Sequence, residues 1–397
     1  MRAVIQSCLQ QPLLELAFRP FFLLAAALSV MALLAWAAVL NGITGWQPAL
    51  LSPLLWHIHE MLFGFALTVA CAFLLTAVQT WTGQRSMHGA MLLVLIIVWL
   101  VIRFLVWQPW WGFSPLLFTL VMTLQLSWWA LMIGFFGWLL WRSGSRRNYQ
   151  FIVMLLMIAA LHLVFLALAQ GDYLNQALHL SHSVLMFFSV MISVIAGRVI
   201  PMFTRNGCRM AGISARVEET PAINRALMLL LPPTAVCFLC SYWWPLNTLT
   251  AVLLFVVGGL HLLRNMYWAP LATLTQPLLW SLQLSYFCLG LSFVMLGVSL
   301  ISDVLPFSSA LHLLTLGTLG GMILAMISRV SLGHTGRPLQ VSNWIRAAFL
   351  LIFCAAAFRL ILPLAGYALS GWNLAVVCWC LAFSLFLYRY FPVLSRA

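Results

Sequence analysis

Lysine is absent from this 397-residue chain and only six residues are acidic, so charged residues amount to 6% of the whole. A soluble domain of this length needs a charged exterior. With 64% of residues hydrophobic, and with 19 Trp and 27 Phe, the outside of such a domain would itself be apolar. Long polar stretches are missing too. Apolar runs recur to the last residues, which leaves no room for an appended soluble domain of useful size. The first 15 residues lack a basic start followed by an apolar core and a small-residue cleavage site. The first span is therefore expected to stay in place as an anchor. There is no G-x-x-x-x-G-K-[ST] loop, which excludes a nucleotide-hydrolysing motor built on that motif. His59-Glu60 lacks the second histidine of an HExxH zinc motif. No ladder of acidic residues runs along the spans, which speaks against a proton pump. Nine cysteines are scattered through apolar segments, and only Cys237/Cys240 and Cys378/Cys380 are close pairs. They read as small packing residues, not as a disulfide framework.

What is present is a series of apolar runs of about 20 residues, each able to cross a hydrocarbon layer about 30 Å thick. We read an all-α integral membrane protein with about 12 transmembrane helices, a single polytopic domain over residues 1–397. The spans are 17–40, 53–80, 88–108, 114–141, 149–170, 174–200, 223–242, 245–265, 276–301, 307–330, 342–364 and 368–390. Breakers mark the joints: NGITGWQP, QPWWGFSP, RSGSRRN and DVLPF. The longest gap, Pro201 to Ala222, reads as a polar, arginine-rich loop.

The N-terminus and the loops after even-numbered spans hold or border 17 of the 19 arginines. The loops after odd-numbered spans hold none and carry Asp172 and Asp303 instead. By the positive-inside rule both termini are expected in the cytoplasm. That topology accounts for the formal net charge of +13, so no nucleic-acid partner is implied; the surrounding partner is membrane lipid. Arg103 and Arg359 break the pattern, because each lies deep in an outward-running span. A cation there either finds a partner or snorkels to the outer interface.

The twelve spans divide into three sets of four, 17–141, 149–265 and 276–390, a candidate pseudo-threefold arrangement. The second span of each set looks alike. From His59 to Thr82 is 23 residues, and from His312 to Thr335 is again 23. The middle copy starts at His179 and has extra residues around GRVIP. Spans four apart run in the same direction, so His59, His179 and His312 are expected at similar depth near the outer ends. His57, His162 and His182 join them, making six of the nine histidines, and Arg103 and Arg359 belong to the same layer. Imidazole suits haem iron and copper, and an arginine fork suits a haem propionate. Glu60 could orient a ligand imidazole, pair with Arg103, or relay protons. His57 and His59 lie about 200° apart around an ideal helix, so a single metal does not suit both. His88, His261 and His334 lie toward the opposite side, at interfacial positions or around a second, inner site.

At these residues the chain resembles the NnrS family of bacterial inner-membrane proteins. The stretches that carry the resemblance are FRPFFLL (Phe18 to Leu24), WHIHEMLFGF, FLLTAVQTWTG, GRVIPMFTRNG (Gly197 to Gly207), HLLRN, PLLWSLQLSY (Pro277 to Tyr286), ALHLLTLGTLGGM and RVSLGHTGRPL (Arg329 to Leu339). The resemblance implies a haem- and copper-containing multi-span protein linked to denitrification and the response to nitric oxide. It implies metal-ligating roles for His57, His59, His312, His334 and His261. Gln283 stands where the family commonly has His, and His179 where it often has none. His57, His59 and His312 are thus the first expected ligands and His179 the next, with Glu60 behind them and Arg103 and Arg359 on the propionates. The expected function is protection against nitric oxide and nitrosative stress, with an electron donor not specified. A secondary transporter for a metal or small anion is the alternative, and the prolines of LLPPT (Leu230 to Thr234) would then interrupt a helix.

Overall fold

A computed structural model of the chain describes residues 11–108, 114–171 and 173–396. The reading of the first residues, the QPWWGFSP joint and Asp172 fall wholly or partly outside them. Among the described residues twelve helices are long and apolar enough to cross a membrane. We number them α1 Phe18–Leu40, α2 Pro53–Thr82, α3 Gly89–Val106, α4 Pro115–Arg142, α5 Tyr149–Gln170, α6 Leu174–Met210, α7 Pro221–Cys240, α8 Asn247–Met266, α9 Pro277–Ile301, α10 Phe307–His334, α11 Asn343–Leu364 and α12 Ala368–Ser395. Proline opens α2, α4, α7 and α9, where its missing N–H costs no hydrogen bond. Gly83, at φ +67°, closes α2 in the left-handed conformation that glycine adopts without strain.

Burial recurs with a period of four helices. In α2, α6 and α10 the most apolar stretch is 78%, 72% and 78% buried, against 50% or less in every other span. In lipid, a helix hydrophobic all round gains nothing from hiding leucine, so the buried ones are those with small or polar residues to pack. Two of the three share a further irregularity. Both α2 and α10 pass through a π-helical stretch, Glu60–Ala66 and Leu313–Gly320, each beginning one residue after the histidine of the repeat. The Leu67 N–H reaches back to the Leu62 carbonyl, and the Gly321 N–H to Leu316, five residues each. The middle copy, α6, is α-helical throughout. Such π turns are often found where a helix presents a functional side chain.

Two expectations about helix ends are corrected. The polar loop does not begin at Pro201: α6 runs through it to Met210. Tertiary contacts hold the extra turns. Thr204 accepts a hydrogen bond from Gln283, and Gly207 packs against Leu279 so closely that a Cβ there would lie 2.7 Å from Leu279 Cδ1. Likewise Pro232 and Pro233 do not interrupt α7, which is continuous over Pro221–Cys240. The Thr234 hydroxyl donates to the Leu230 carbonyl at 2.7 Å, adding a side-chain bond beside the prolines.

The chain divides into two compact units. The first comprises α1 to α5, α6 as far as Val184, Val330–Arg337, and the end of α12 from Leu387. In it Arg19 of α1 pairs with Glu15 at 3.1 Å and donates to the carbonyls of Leu394 and Arg396, so a cation caps the C-terminal end of α12. The second unit comprises Leu185–Arg329 and Pro338–Phe386. Its tightest helix pair is α8 with α9. A Cβ on Gly258 would meet the Gly290 carbonyl oxygen at 2.8 Å, and one on Gly290 would meet the Gly258 oxygen at 3.0 Å. Glycine lets the two backbones touch there. Gly258→Ala is expected to lower the melting temperature of the detergent-purified protein by the equivalent of about 1–3 kcal/mol. Gly259→Ala, with open space at its Cβ position, is expected to leave it unchanged or slightly raised. Equal effects would contradict the close approach.

Candidate functional site

In the first unit the stretch after Pro53 forms a regular helical turn, capped by the Ser52 hydroxyl, which accepts from the Leu55 N–H. That turn sends His57 and His59 in different directions. His57 stacks on Trp36 of α1, with ring centroids 4.8 Å apart. His59 is fully buried, as is Glu60. Arg103 of α3 donates from Nη1 to Glu60 Oε1 at 2.6 Å, and the Trp107 indole N–H donates to Oε2 at 2.8 Å. His59 Nδ1 lies 2.8 Å from Oε1. Gly64 makes this possible, since a Cβ there would sit 2.7 Å from Arg103 Nη1 and 2.8 Å from Leu28 Cδ2. Of the roles open to Glu60, pairing with Arg103 and orienting His59 are thus both in place.

The far side of His59 meets α4 and α5. His59 Nε2 is 3.0 Å from His162 Nε2, and the Gln125 amide nitrogen is 3.3 Å from the same atom. The Trp129 indole nitrogen lies 3.1 Å from His162 Nδ1. Phe63 stacks on the His162 ring at 3.7 Å with an interplanar angle of 8°. The ends of this chain fix where its protons are. An indole N–H only donates, so His162 Nδ1 accepts and a neutral His162 carries its proton on Nε2. The carboxylate of an ion pair only accepts, so His59 donates from Nδ1 and presents a bare Nε2. Every bond then has one donor and one acceptor: Trp129 to His162, His162 to His59, His59 to Glu60. The carboxylate behind His59 is the arrangement that orients metal-ligating imidazoles.

His179 and His182 are half-buried on α6, within the first unit. His334 is exposed, with its ring 5.6 Å from that of Phe18. In the second unit, His312 Nδ1 is 2.6 Å from the Ser308 carbonyl of its own helix, which places the proton of a neutral ring on Nδ1. Arg359 donates from Nη2 to the Ser308 hydroxyl at 2.8 Å and lies over Trp372 at 5.1 Å. His261 is fully buried, with Nδ1 2.6 Å from the Tyr286 hydroxyl. Gln283, in place of the expected histidine, is tied to Thr204, Asn265 and the Trp268 carbonyl. Among the described residues no three His, Cys, Asp or Glu side chains converge as a ready metal cage. Sequence reasoning placed His162 at the right depth but gave it no role, and it missed Gln125, Trp107 and Trp129. Gln125 had a signal: it is an amide in the middle of an apolar span, where polar side chains need partners.

These features define a twelve-span helical membrane protein with a buried imidazole–carboxylate–guanidinium relay inside its first unit. The chain belongs to the NnrS family: the family described as "NnrS protein" matches residues 12–397. A comparison with curated proteins found no match.

Removing one partner of a buried ion pair leaves an uncompensated charge, at a cost of about 3–5 kcal/mol. Glu60→Gln is therefore expected to destabilise the protein strongly in denaturant titrations, and adding Arg103→Met to recover a large part of the loss. Trp129→Phe removes the donor that sets the His162 tautomer. Nitrogen-15 spectra of histidine-labelled protein should show a fixed Nε2–H tautomer for His162 in the wild type and a mixture in the variant. A mixture in both would contradict the relay.

Proposed function

We propose that this NnrS-family protein carries a metal centre, haem or copper, in the inner membrane and acts in the response to nitric oxide. Both termini lie in the cytoplasm in this reading, following the arginine distribution. The observation that carries it is the pair of buried Nε2 atoms of His59 and His162, 3.0 Å apart, with Glu60 and Arg103 behind one ring.

The donor set fits the implied groups. Imidazole suits copper and haem iron alike, and metal–nitrogen bonds of about 2 Å let two nitrogens at this separation share one ion. A haem would need one of the two rings, and His59, held by Glu60 through Nδ1, is the one with a bare Nε2. When bound, such a centre supplies a site for nitric oxide and one-electron chemistry beside it. The chain's own residues do the rest. Glu60 fixes the His59 ring and Arg103 compensates the carboxylate. His162 must give up its Nε2 proton before it can serve as a ligand, and the bond from Trp129 opposes that exchange. Gln125 offers an amide at the same point. Arg359, which has no carboxylate partner among the described residues, is suited to an anionic group such as a propionate. His57 stacks on Trp36, His312 meets the Ser308 carbonyl and His261 meets the Tyr286 hydroxyl; ligand roles for these three, and for His179 and His334, rest on the family resemblance.

The test is the absorption spectrum and metal content of the purified protein. The wild type should show a Soret band with reduced haem bands, or bound copper, and His59→Ala and His162→Ala should each lose most of it while His334→Ala keeps it. Full metal and haem in both His59 and His162 variants would overturn the assignment. A carrier is the second reading, favoured by the π-helical stretches at matching places in α2 and α10. It predicts a colourless, metal-free protein with anion- or metal-dependent uptake in liposomes.

A further inference from the structure

The loop between α4 and α5 carries the densest run of positive charge in the chain: Arg142, Arg146 and Arg147, three arginines within six residues. No acidic residue lies between Glu60 and Asp172. All three arginine side chains are exposed. The described carboxylates of the first unit are engaged elsewhere, Glu15 with Arg19 and Glu60 with Arg103. Among the described residues no carboxylate pairs with Arg142 or Arg146.

The backbone presents these groups from a tight turn. The Ser145 N–H reaches the Leu140 carbonyl at 3.0 Å and the Gly144 N–H the Trp141 carbonyl at 3.1 Å, with Gly144 at φ +65°. That pair of bonds closes α4 with a left-handed glycine. A short 3-10 turn, Arg146–Asn148, follows directly. Asn148 is buried, and its amide donates to the Ser145 hydroxyl at 3.0 Å. Phe151, in the first turn of α5, stacks on Trp81 of α2 with ring centroids 5.4 Å apart. The arginines therefore project from an anchored connection.

Two tryptophans flank them on the last turns of α4. Trp138 is 45% exposed and Trp141 74%. The Arg142 guanidinium lies over the Trp138 ring, 5.3 Å from its centroid. Indoles exposed at the end of a span sit at the headgroup level of a bilayer, where tryptophan is enriched. An excess of positive charge on one side of the membrane accounts for arginine in this loop. It does not account for indoles placed beside the guanidinium groups.

We propose that the α4–α5 loop binds an anionic glycerophospholipid. The phosphodiester accepts from the arginines, and the glycerol backbone and upper acyl chains lie against Trp138 and Trp141. A soluble anion would leave the indoles without a role. A zwitterionic lipid would bring an ammonium group up to three guanidinium groups. Clustered basic residues next to a span attract anionic lipid in the same way elsewhere. The site is separate from the His59–His162 pair and does not depend on a metal.

The experiment uses the full chain in detergent micelles, titrated with phosphatidylglycerol, with phosphatidylcholine or with inorganic phosphate. Phosphatidylglycerol should raise the melting temperature saturably and remain bound in native mass spectra, and the other two should do neither. Substituting Arg142, Arg146 and Arg147 together by Gln should raise the midpoint concentration about tenfold or more. If that variant does not fold, Arg146→Gln with Arg147→Gln decides. Trp138→Ala with Trp141→Ala should weaken the response as well. Arg205→Gln with Arg209→Gln, which removes two exposed arginines of the second unit, should leave the midpoint unchanged. No saturable response to phosphatidylglycerol, an equal response to phosphatidylcholine or phosphate, or an unchanged midpoint in the loop variants overturns the proposal. An equal loss in the Arg205 and Arg209 variant also overturns it, because the binding would then follow net charge and not this loop.

Discussion

Everything in the first unit depends on one ion pair buried inside the spans. Glu60 can be fully buried inside an apolar helix only because Arg103, from the next span, meets it at 2.6 Å. The glycine at position 64 lets the guanidinium come that close. Once the carboxylate is fixed as an acceptor, the proton positions follow in sequence: His59 gives Nδ1–H, His162 gives Nε2–H, and Trp129 closes the far end. The result is a buried chain of directed hydrogen bonds rather than a loose collection of histidines. Partly satisfied polar networks are costly in a low dielectric, and fully satisfied ones hold a single arrangement.

The matching part of the second unit shows what happens when the acid is missing. His312 and its π-helical stretch repeat His59 and Glu60–Ala66, and Gly317 stands where Gly64 does. Leu313 replaces Glu60, however, and among the described residues Arg359 meets the Ser308 hydroxyl and the Trp372 ring in place of a carboxylate. Arg264 is in the same situation with Tyr286, Ser193 and Asn224. The first unit pairs both of its buried arginines, Arg19 and Arg103, with carboxylates. In the second, the buried Arg264 and Arg359 have no carboxylate partner among the described residues.

Most of the fold was legible because hydropathy depends on lipid, not on tertiary detail. All twelve spans were found, most ends within a few residues. The end of α6 was misjudged because Pro201 and the arginines after it look like a loop, and only the contacts of Thr204 and Gly207 extend the helix. LLPPT looked like a break because proline usually breaks helices, yet in α7 the prolines are accommodated. In the site, Glu60, His59 and Arg103 were visible as polar residues where apolar ones belong. Their partners were less so. Trp129 and Trp107 are two of 19 tryptophans, and nothing in sequence marks the indole that points at an imidazole. His57 and His59 were correctly seen to face apart, since that follows from helix geometry alone.

The central claim is that the His59 and His162 imidazoles hold a metal centre. A cryo-electron microscopy map of the protein, purified with its native metal content, tests it most directly. Density joined to His59 Nε2, with His162 displaced or sharing it, is the predicted result. Rings in direct hydrogen-bond contact, with the metal or haem held elsewhere in the chain, would contradict the account.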